Sequence, residues 1–351
     1  MVRPRTSAGT KAFSPRPREG DLMAKMNSEK ATALVFGPVP SRRLGRSLGI
    51  NNIPPKVCSY SCVYCQLGRT PRIQVKREAF YDPDELIRAV RDRVNELRGK
   101  GERIDYLTFV PDGEPTLDLN LGKEISALKD LGIPIAVITN ASLIFREEVQ
   151  EELSQADWVS LKVDAAREAT WKRINRPHKA LSLKEIQTGM LRFAHNFSGT
   201  LATETMLVSG VNDSQDEFSL IASFLREVKP AVAYLAVPTR PPAEPWVAPP
   251  TEEVLTQAYV SFGAELPRVE LLIGYEGNAF SATGDAKEDL LAITAVHPMR
   301  EEAVRELLAK DKASWEVVEE LVRVGALVRL EYGGHAFYFR ALPSRGRFPA
   351  Q

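Results

Sequence analysis

The sequence has few metal-binding side chains and no long apolar run. Its 351 residues include only three cysteines and four histidines. No stretch approaches the roughly 18 or more consecutive apolar residues of a membrane span, and the N-terminus lacks the apolar core of a signal peptide. We therefore expect a cytoplasmic protein with no membrane partner.

The sequence also lacks an excess of charge of either sign. Lys+Arg and Asp+Glu number 46 each. This balance does not favour a protein whose whole surface binds nucleic acid, although it permits a local basic patch. Hydrophobic residues make up 44% and charged residues 26%, which is typical of a globular protein. At this length we expect one large domain and a smaller one.

All three cysteines fall in the segment CSYSCVYCQ, at Cys58, Cys62 and Cys65. A reducing compartment disfavours disulfides, so metal binding is the leading interpretation. Thiolates suit iron-sulfur clusters. Three thiolates leave one iron of a [4Fe-4S] cluster without a protein ligand, and that iron can chelate the amino and carboxylate groups of S-adenosylmethionine (SAM).

Two alternatives to a cluster are a zinc site and three unrelated buried thiols. Zinc needs a fourth ligand. The first histidine in the chain is His178, 113 positions after Cys65. A local zinc knuckle is therefore excluded, and a remote ligand would have to be invoked.

Short β-branched runs alternate with amphipathic segments from about residue 48 onward, an order typical of βα units around a parallel sheet. In the segment 83–100, Pro83 stands near a helix start, and Leu86, Val90 and Leu97 follow at helical spacing. Six βα units indicate an incomplete barrel. The predicted strands are 47–53, 104–110, 133–139, 158–163, 200–208, 232–237 and 269–273.

The ends of the chain differ from this body. Residues 1–30 are rich in Pro, Arg and Ser without apolar periodicity, which predicts a disordered basic tail. The main domain is predicted over 31–284, with a proline-rich connector at 239–250. Three helices and a hairpin around Gly333 and Gly334 predict a winged-helix-like domain over 285–345, followed by a tail at 346–351. The alternative is a helical lid on the barrel.

The helix predicted to be the recognition helix of this small domain is acidic. It carries Glu316, Glu319 and Glu320 against Arg323. Carboxylates oppose contacts with phosphate, so DNA is not the expected partner. A protein contact, a peptide substrate or a lid function is favoured instead.

At the cysteine segment the chain resembles the radical SAM superfamily, whose pattern is C-x3-C-x2-C with an aromatic residue, here Tyr64, before the last cysteine. The run GPVPSRRLGRSLGINNIPPKVCSYSCVYCQLGRT is similar to a subgroup of Fe-S oxidoreductases related to wybutosine-synthesis-type proteins. The resemblance covers about residues 36–340. It implies an α/β fold, a partial (β/α)6 TIM-like barrel of radical SAM type with the cluster after the first strand.

The resemblance also implies the activity. The chain is expected to be an enzyme that reductively cleaves SAM at a [4Fe-4S] cluster, and the resulting 5′-deoxyadenosyl radical acts on an unidentified substrate. Cys58, Cys62 and Cys65 are the expected cluster ligands. A second hypothesis is a redox sensor whose winged helix binds DNA or protein.

Further cofactor contacts are expected at the strand ends. Asp112, Gly113 and Glu114 stand where the family has a Gly-Gly-Glu element, with Asp112 replacing the first glycine. Glycine lets the backbone approach the methionyl ammonium, and a carboxylate or carbonyl accepts its protons. Taken alone, such a turn is more often a surface turn, but its position after the second predicted strand favours the cofactor contact. Later candidates are Tyr64, Thr139, Asn140, Lys162, Asp164, Glu204, Thr205 and, by resemblance to an adenine-contacting turn, Asn212.

Several of these residues have a structural alternative. Lys162 with Asp164 or Glu204 could be an ion pair within the barrel. A further group of basic residues lies before the first strand or near the barrel mouth. These residues could anchor RNA or an anionic small molecule, or could simply be solvated at the edge of the barrel. These residues are Arg42, Arg43, Arg46, Arg176 and His178.

The expected substrate is a small molecule, a peptide or a tRNA. The tRNA alternative follows from the similarity to wybutosine-type enzymes. Their flavodoxin-like domain is not evident in this sequence, so an external flavodoxin or ferredoxin is expected to donate electrons.

Overall fold

The computed structural model describes residues 34–110, 112–274, 280, 282 and 284–341. Its main feature is an eight-stranded sheet in which the strands follow one another in chain order and curl into a partial barrel. Seven strands, β2 to β8, run parallel, and β1 pairs antiparallel with β2. The strands are β1 (Val35–Ser41), β2 (Gly45–Ile50), β3 (Tyr106–Phe109), β4 (Ile135–Thr139), β5 (Trp158–Lys162), β6 (Thr200–Met206), β7 (Val232–Ala236) and β8 (Val269–Leu272).

All seven predicted parallel strands are confirmed, but β1 was not predicted. Its sequence, VFGPVPS, contains a glycine and two prolines. Such a segment is tolerated only at a sheet edge or bulge, and β1 has both features: it is the first strand of the sheet and has a register shift between Phe36 and Val39. Opposite it, a Cβ on Gly49 would lie 2.0 Å from the Phe36 ring, so the close pairing requires glycine there.

Helices pack against the sheet and bury one face each. The helix predicted near Pro83 begins there, and the Asp82 side chain caps it by accepting hydrogen bonds from the backbone nitrogens of Asp84 and Glu85. Leu86, Val90 and Leu97 are buried in the main core, as predicted. The helices are α1 (Pro83–Gly99), α2 (Leu121–Leu128), α3 (Glu147–Leu153), α4 (Glu168–Asn175), α5 (Leu183–Asn196), α6 (Gln215–Val228) and α7 (Glu252–Gly263).

The C-terminal part has its own hydrophobic core. It contains α8 (Ala286–Val296), β9 (Met299–Arg300), α9 (Glu301–Lys310), α10 (Glu316–Arg323), β10 (Leu327–Tyr332) and β11 (His335–Arg340). The three strands form a separate antiparallel sheet in the order β10-β11-β9. Phe36 and Val39 of β1 belong to this second core, so the C-terminal part packs against this edge strand.

The predicted C-terminal elements are confirmed, including the hairpin turn at Gly333 and Gly334. Both glycines have positive φ, as a two-residue hairpin turn demands. The winged-helix assignment and the domain boundaries stay predictions, and the predicted tails at 1–30 and 346–351 lie outside the described residues. Within the described part of the chain, none of the helices combines the length and apolar character needed to cross a bilayer.

Candidate cofactor site

The cysteine loop follows β2, at the carboxyl end of the sheet, where barrel enzymes place their active sites. The run from Cys58 to Ser61 lies between two neighbouring segments. On one side Cys58 pairs with Ile73, and on the other Tyr60 pairs with Pro177. The loop is thereby held on both sides.

Each cysteine sulfur accepts a hydrogen bond from a nitrogen donor. The three contacts are Lys56 Nζ to Cys65 Sγ at 3.5 Å, Asn140 Nδ2 to Cys58 Sγ at 3.5 Å, and Asn175 Nδ2 to Cys62 Sγ at 3.4 Å. Hydrogen bonds of this kind orient thiolate ligands and tune the potential of iron-sulfur clusters. The donors come from three different parts of the chain, so the fold brings them to the sulfurs.

Burial raises the pKa of the Cys58 thiol to about 12, with Glu114 adding to the effect. Burial also raises the pKa of the Cys62 thiol well above its ordinary value, and Asp164 contributes. Metal binding must therefore displace protons from both thiols.

The donor set of the cysteine loop can be compared with those of a single metal ion and of a cluster. Among the described residues, no three His, Cys, Asp or Glu side chains are grouped closely enough to hold one metal ion. A four-iron cluster distributes its thiolates over separate irons, so its ligands stand farther apart than those of zinc. The donor set of three thiols with N–H partners fits a cluster.

The three cysteines form part of the wall of a cavity of about 320 Å³. The rest of the wall comes mainly from the ends of strands β3 to β8, from the start of the connector after β7 and from the turn between β1 and β2. Eight other predicted residues also line it: Arg42, Arg43, Tyr64, Gly113, Thr139, Asn140, Lys162 and Glu204. The structure thus brings most of the predicted site together around one space.

Three charged side chains meet in this wall. Both Lys162 and Arg43 form ion pairs with Glu204, and the Lys162 ammonium lies 5.2 Å from the centroid of the Tyr64 ring. Burial lowers the pKa of Lys162. The partner of Lys162 is therefore Glu204 rather than Asp164, and the ion pair itself faces the cavity.

The turn at Asp112, Gly113 and Glu114 is clamped against the segment before Cys58. The Glu114 nitrogen donates to the Val57 carbonyl at 3.0 Å, and a Cβ on Gly113 would lie 1.9 Å from that carbonyl oxygen. Only glycine permits this approach. Asp112 and Glu114 are 3% and 1% exposed, so the alternative of a surface turn is wrong.

The prediction that Glu114 contacts the SAM ammonium is not supported by its position. Its carboxylate accepts hydrogen bonds from the Thr116 and Thr139 hydroxyls and from the backbone nitrogens of Thr116 and Asn140. It is buried beneath the cavity, and burial raises its pKa. Glu114 therefore joins the ends of β3 and β4, and Asp112 is likewise buried outside the cavity lining.

Asn212 and Asp164 also have structural positions. The Asn212 amide donates to the carbonyls of Asp164 and Met206, both at 2.8 Å, and accepts from the Val208 nitrogen. The Asp164 carboxylate accepts from the Tyr64 hydroxyl and from Asn175 Nδ2. Neither residue lines the cavity, and their predicted cofactor contacts stay predictions. Asp164 instead holds Tyr64, which is part of the cysteine loop, and Asn175, which donates to Cys62.

Four other candidates lie away from the cavity lining. Arg46 pairs with Glu102, and Arg176 pairs with Glu244. His178 Nδ1 accepts from the Ala180 nitrogen at 3.1 Å. The Thr205 hydroxyl donates to the Val163 carbonyl at 2.7 Å and is buried. Of Arg42, Arg43 and Arg46, the first two line the cavity and the third does not.

The structure adds residues that the sequence analysis missed. Lys56 is 6% exposed, and its ammonium also donates to the Gly68 carbonyl at 2.6 Å. Arg240 lines the cavity and contacts Gln66 Oε1 at 2.7 Å and His297 Nε2 at 2.6 Å, which joins the proline-rich connector to the C-terminal part. In the sequence, the only signal that could have identified Lys56 was its position two residues before Cys58.

Comparisons with known proteins identify the family of this chain. Residues 52–220 match the radical SAM superfamily. The chain is 48% identical over 316 residues to the UPF0026 protein of Methanocaldococcus jannaschii, covering 90% of this chain and 98% of that protein. It is 36% identical over 222 residues to a UPF0026 protein of Helicobacter pylori, covering 62% and 69% of the two chains.

The fold also has a counterpart among solved structures. A radical SAM methyltransferase from Sphaerobacter thermophilus superposes with a TM-score of 0.51 at 16% identity, covering 65% of this chain and 66% of the other. At this identity the likeness concerns the fold alone. It agrees with the partial barrel expected from the sequence.

Proposed function

The chain belongs to the UPF0026 family and carries a radical SAM superfamily domain, and on that premise we propose that it is an enzyme with a [4Fe-4S] cluster on Cys58, Cys62 and Cys65. When bound, this cluster supplies the electron that cleaves SAM to methionine and a 5′-deoxyadenosyl radical, which takes a hydrogen atom from the substrate. In this sense the protein is an oxidoreductase-type enzyme. The protein's own residues hold and orient these groups.

The observation that carries the proposal is the set of three nitrogen donors, one on each cysteine sulfur, at the wall of a cavity. Lys56 is the most telling of them. Its acceptors are a backbone carbonyl and a thiol sulfur, and burying an ammonium against neutral groups is costly. Three thiolates around iron would supply the missing negative charge.

The cavity wall offers polar groups for SAM. We assign Asn140 and the backbone at Gly113 to the methionyl end because both adjoin the cysteine loop. Lys162 and Glu204 remain proposed contacts for the ribose or the substrate, and Tyr64 is held in place by Asp164. Because Lys162 is a hydrogen-bond donor and Glu204 an acceptor, the wall offers both kinds of group to a polar ligand.

The substrate class stays open among a small molecule, a peptide and a tRNA. An external flavodoxin or ferredoxin is proposed as the electron donor. A cytoplasmic location suits this chemistry, since a reducing compartment keeps the thiols available for iron.

The test is SAM cleavage by the anaerobically reconstituted full chain. With an uncharged reductant, photoreduced 5-deazariboflavin, we expect 5′-deoxyadenosine and methionine in equal amounts, with neither product when the reductant is omitted. A redox sensor would bind the cluster, change its affinity for a partner and leave SAM intact. That result would replace the enzymatic proposal with the regulatory one.

A further inference from the structure

Two basic segments flank the cysteine loop. Residues 69–76 read RTPRIQVK and residues 172–179 read KRINRPHK, and neither contains an acidic residue. We call them the basic flanks. Their seven Lys and Arg residues are Arg69, Arg72, Lys76, Lys172, Arg173, Arg176 and Lys179. In a chain with no net charge, this is a marked local concentration.

The basic flanks are bonded directly to the backbone that carries the cysteines. On one side the Gln74 nitrogen donates to the Cys58 carbonyl at 3.0 Å, and on the other the His178 nitrogen donates to the Ser59 carbonyl at 3.0 Å. Glu244 ties the flanks together, because its carboxylate pairs with both Arg69 and Arg176. The two segments and the cysteine loop therefore form one continuous unit.

Carboxylates neutralise only part of this charge. Lys76 pairs with Glu78, Lys172 with Glu168, and both Arg69 and Arg176 with Glu244. Three carboxylates against seven cations leave an excess of four positive charges. Within the residues that the structure describes, the exposed side chains of Arg72, Arg173 and Lys179 have no ion-pair partner.

None of the basic-flank residues lines the cavity. The cavity charges come from Arg42, Arg43, Lys162, Glu204 and Arg240 instead. A small-molecule substrate held within the cavity would make no contact with this surface. A partner that only passes an electron to the cysteine loop needs to approach that loop and no more.

We propose that the basic flanks are the docking surface for a small acidic one-electron carrier of the flavodoxin or ferredoxin class, which reduces the cluster through the cysteine loop. This inference rests on the proposed function because it presumes the cluster. In the transfer the reduced carrier loses one electron and the cluster gains it, with no bond or proton exchanged. Complementary charge raises the rate of such encounters and makes it depend on salt.

The test uses the full, anaerobically reconstituted chain and a recombinant flavodoxin as the probe. The flank variant is R72E/R173E/K179E. The matched control is R88E/K129E/R323E, which makes the same change of charge at exposed residues outside the flanks and the cavity lining. The loss of cluster absorbance near about 400 nm on mixing with reduced flavodoxin gives the rate of electron transfer.

We expect the flank variant to be reduced by flavodoxin about tenfold more slowly than wild type at low salt, and the control to stay within about twofold. Raising the salt from about 50 to about 300 mM should remove most of the difference. Photoreduced 5-deazariboflavin should reduce all three proteins equally. Equal slowing in both variants, or no slowing in either, would overturn the docking surface.

The outcomes separate this inference from the proposed function. Flank-dependent reduction without 5′-deoxyadenosine would leave the docking surface standing and remove the enzyme. Formation of 5′-deoxyadenosine with flank-independent reduction would do the reverse. If the flank variant instead loses affinity for a tRNA transcript and keeps its rate with flavodoxin, the flanks bind RNA and the proposal is wrong.

Discussion

Around the cavity, buried cations and anions contact one another. At α2, which lies between α1 and α3, the carboxyl groups of Asp118 and Glu124 are instead buried side by side. At the cavity, Glu204 pairs with both Arg43 and Lys162. Glu124 has no exposed surface, and its two oxygens have no hydrogen-bond partner among the described residues. In the first region a carboxylate is paired with two cations at an open wall, and in the second region one carboxyl group lies beside another.

The pKa shifts of Glu124 and Asp118 reflect their burial in the second region. Burial raises the pKa of Glu124 to about 9, and the adjacent Asp118 carboxylate adds to the shift. Burial also raises the pKa of Asp118, although nearby Arg77 opposes the effect. The buried carboxylate at the cavity is therefore held by cations, whereas the ionisation of Glu124 is opposed by its neighbour.

Removing a sulfur ligand should have the largest effect on the cavity region. Cys62→Ala is expected to abolish cluster binding, since two thiolates cannot hold a cluster that needs three from the protein. Iron content and absorbance near about 400 nm measure the loss, and circular dichroism checks that the barrel is retained. Wild-type iron content in this variant would refute the ligand assignment.

Replacing the buried ammonium should weaken the cluster without removing it. Lys56→Met is expected to lower the affinity for iron about tenfold and to make the reduction potential more negative, because the cation and its hydrogen bond to Cys65 are lost. Lys56→Arg should restore part of the potential, which a purely structural role would not predict. The exposed Lys129→Met serves as the control. An unchanged potential in Lys56→Met would contradict the role of Lys56.

Breaking the ion pairs in the cavity wall should cost stability. Glu204→Gln leaves Arg43 and Lys162 without their carboxylate and is expected to lower the free energy of unfolding by about 2 kcal/mol. The control is Glu102→Gln, whose partner Arg46 is about two-fifths exposed and which should change stability by less than about 0.5 kcal/mol. Urea denaturation measures both. Equal effects would show that the cavity charges are no more coupled than surface charges.

The smallest effect is expected in the second region, with the opposite sign. Glu124 holds its proton in the folded state up to about pH 9, whereas it loses the proton near its ordinary pKa of 4.5 when unfolded. Between these values unfolding releases a proton, so stability falls as pH rises. Glu124→Gln should therefore flatten the fall in stability between about pH 5 and about pH 8 and have little effect near pH 4. A variant with the same pH dependence as wild type would refute the raised pKa of Glu124.

The sequence was sufficient for features that depend on local pattern. Alternation of β-branched runs and amphipathic segments located all seven parallel strands, and the spacing of Cys58, Cys62 and Cys65 located the loop. β1 was not predicted because its glycine and prolines are typical of a turn. Its strand conformation depends on pairing with β2. Edge strands of this kind are set by tertiary contacts rather than by propensity.

The candidate site could be predicted in position but not in contacts. Sequence placed Glu114 and Asn212 at strand ends, yet it could not show that Thr116 and Thr139 already occupy the Glu114 carboxylate or that Asn212 braces its own turn. Arg240 was missed because its partners Gln66 and His297 meet it only in the fold. Lys56 was missed because the sequence does not show that its ammonium contacts Cys65 and Gly68 within the same loop. The direction of a side chain at a strand end is decided by such partners.

Iron-57 Mössbauer spectroscopy of the anaerobically reconstituted protein, with and without SAM, is the most direct test of the central claim. The three cysteines should hold a [4Fe-4S] cluster in which one iron lacks a protein ligand. We expect the signal of that single iron to change when SAM is added, while the other irons keep theirs. A cluster whose irons all ignore SAM, or a protein that carries zinc or no metal at this loop, would contradict the account.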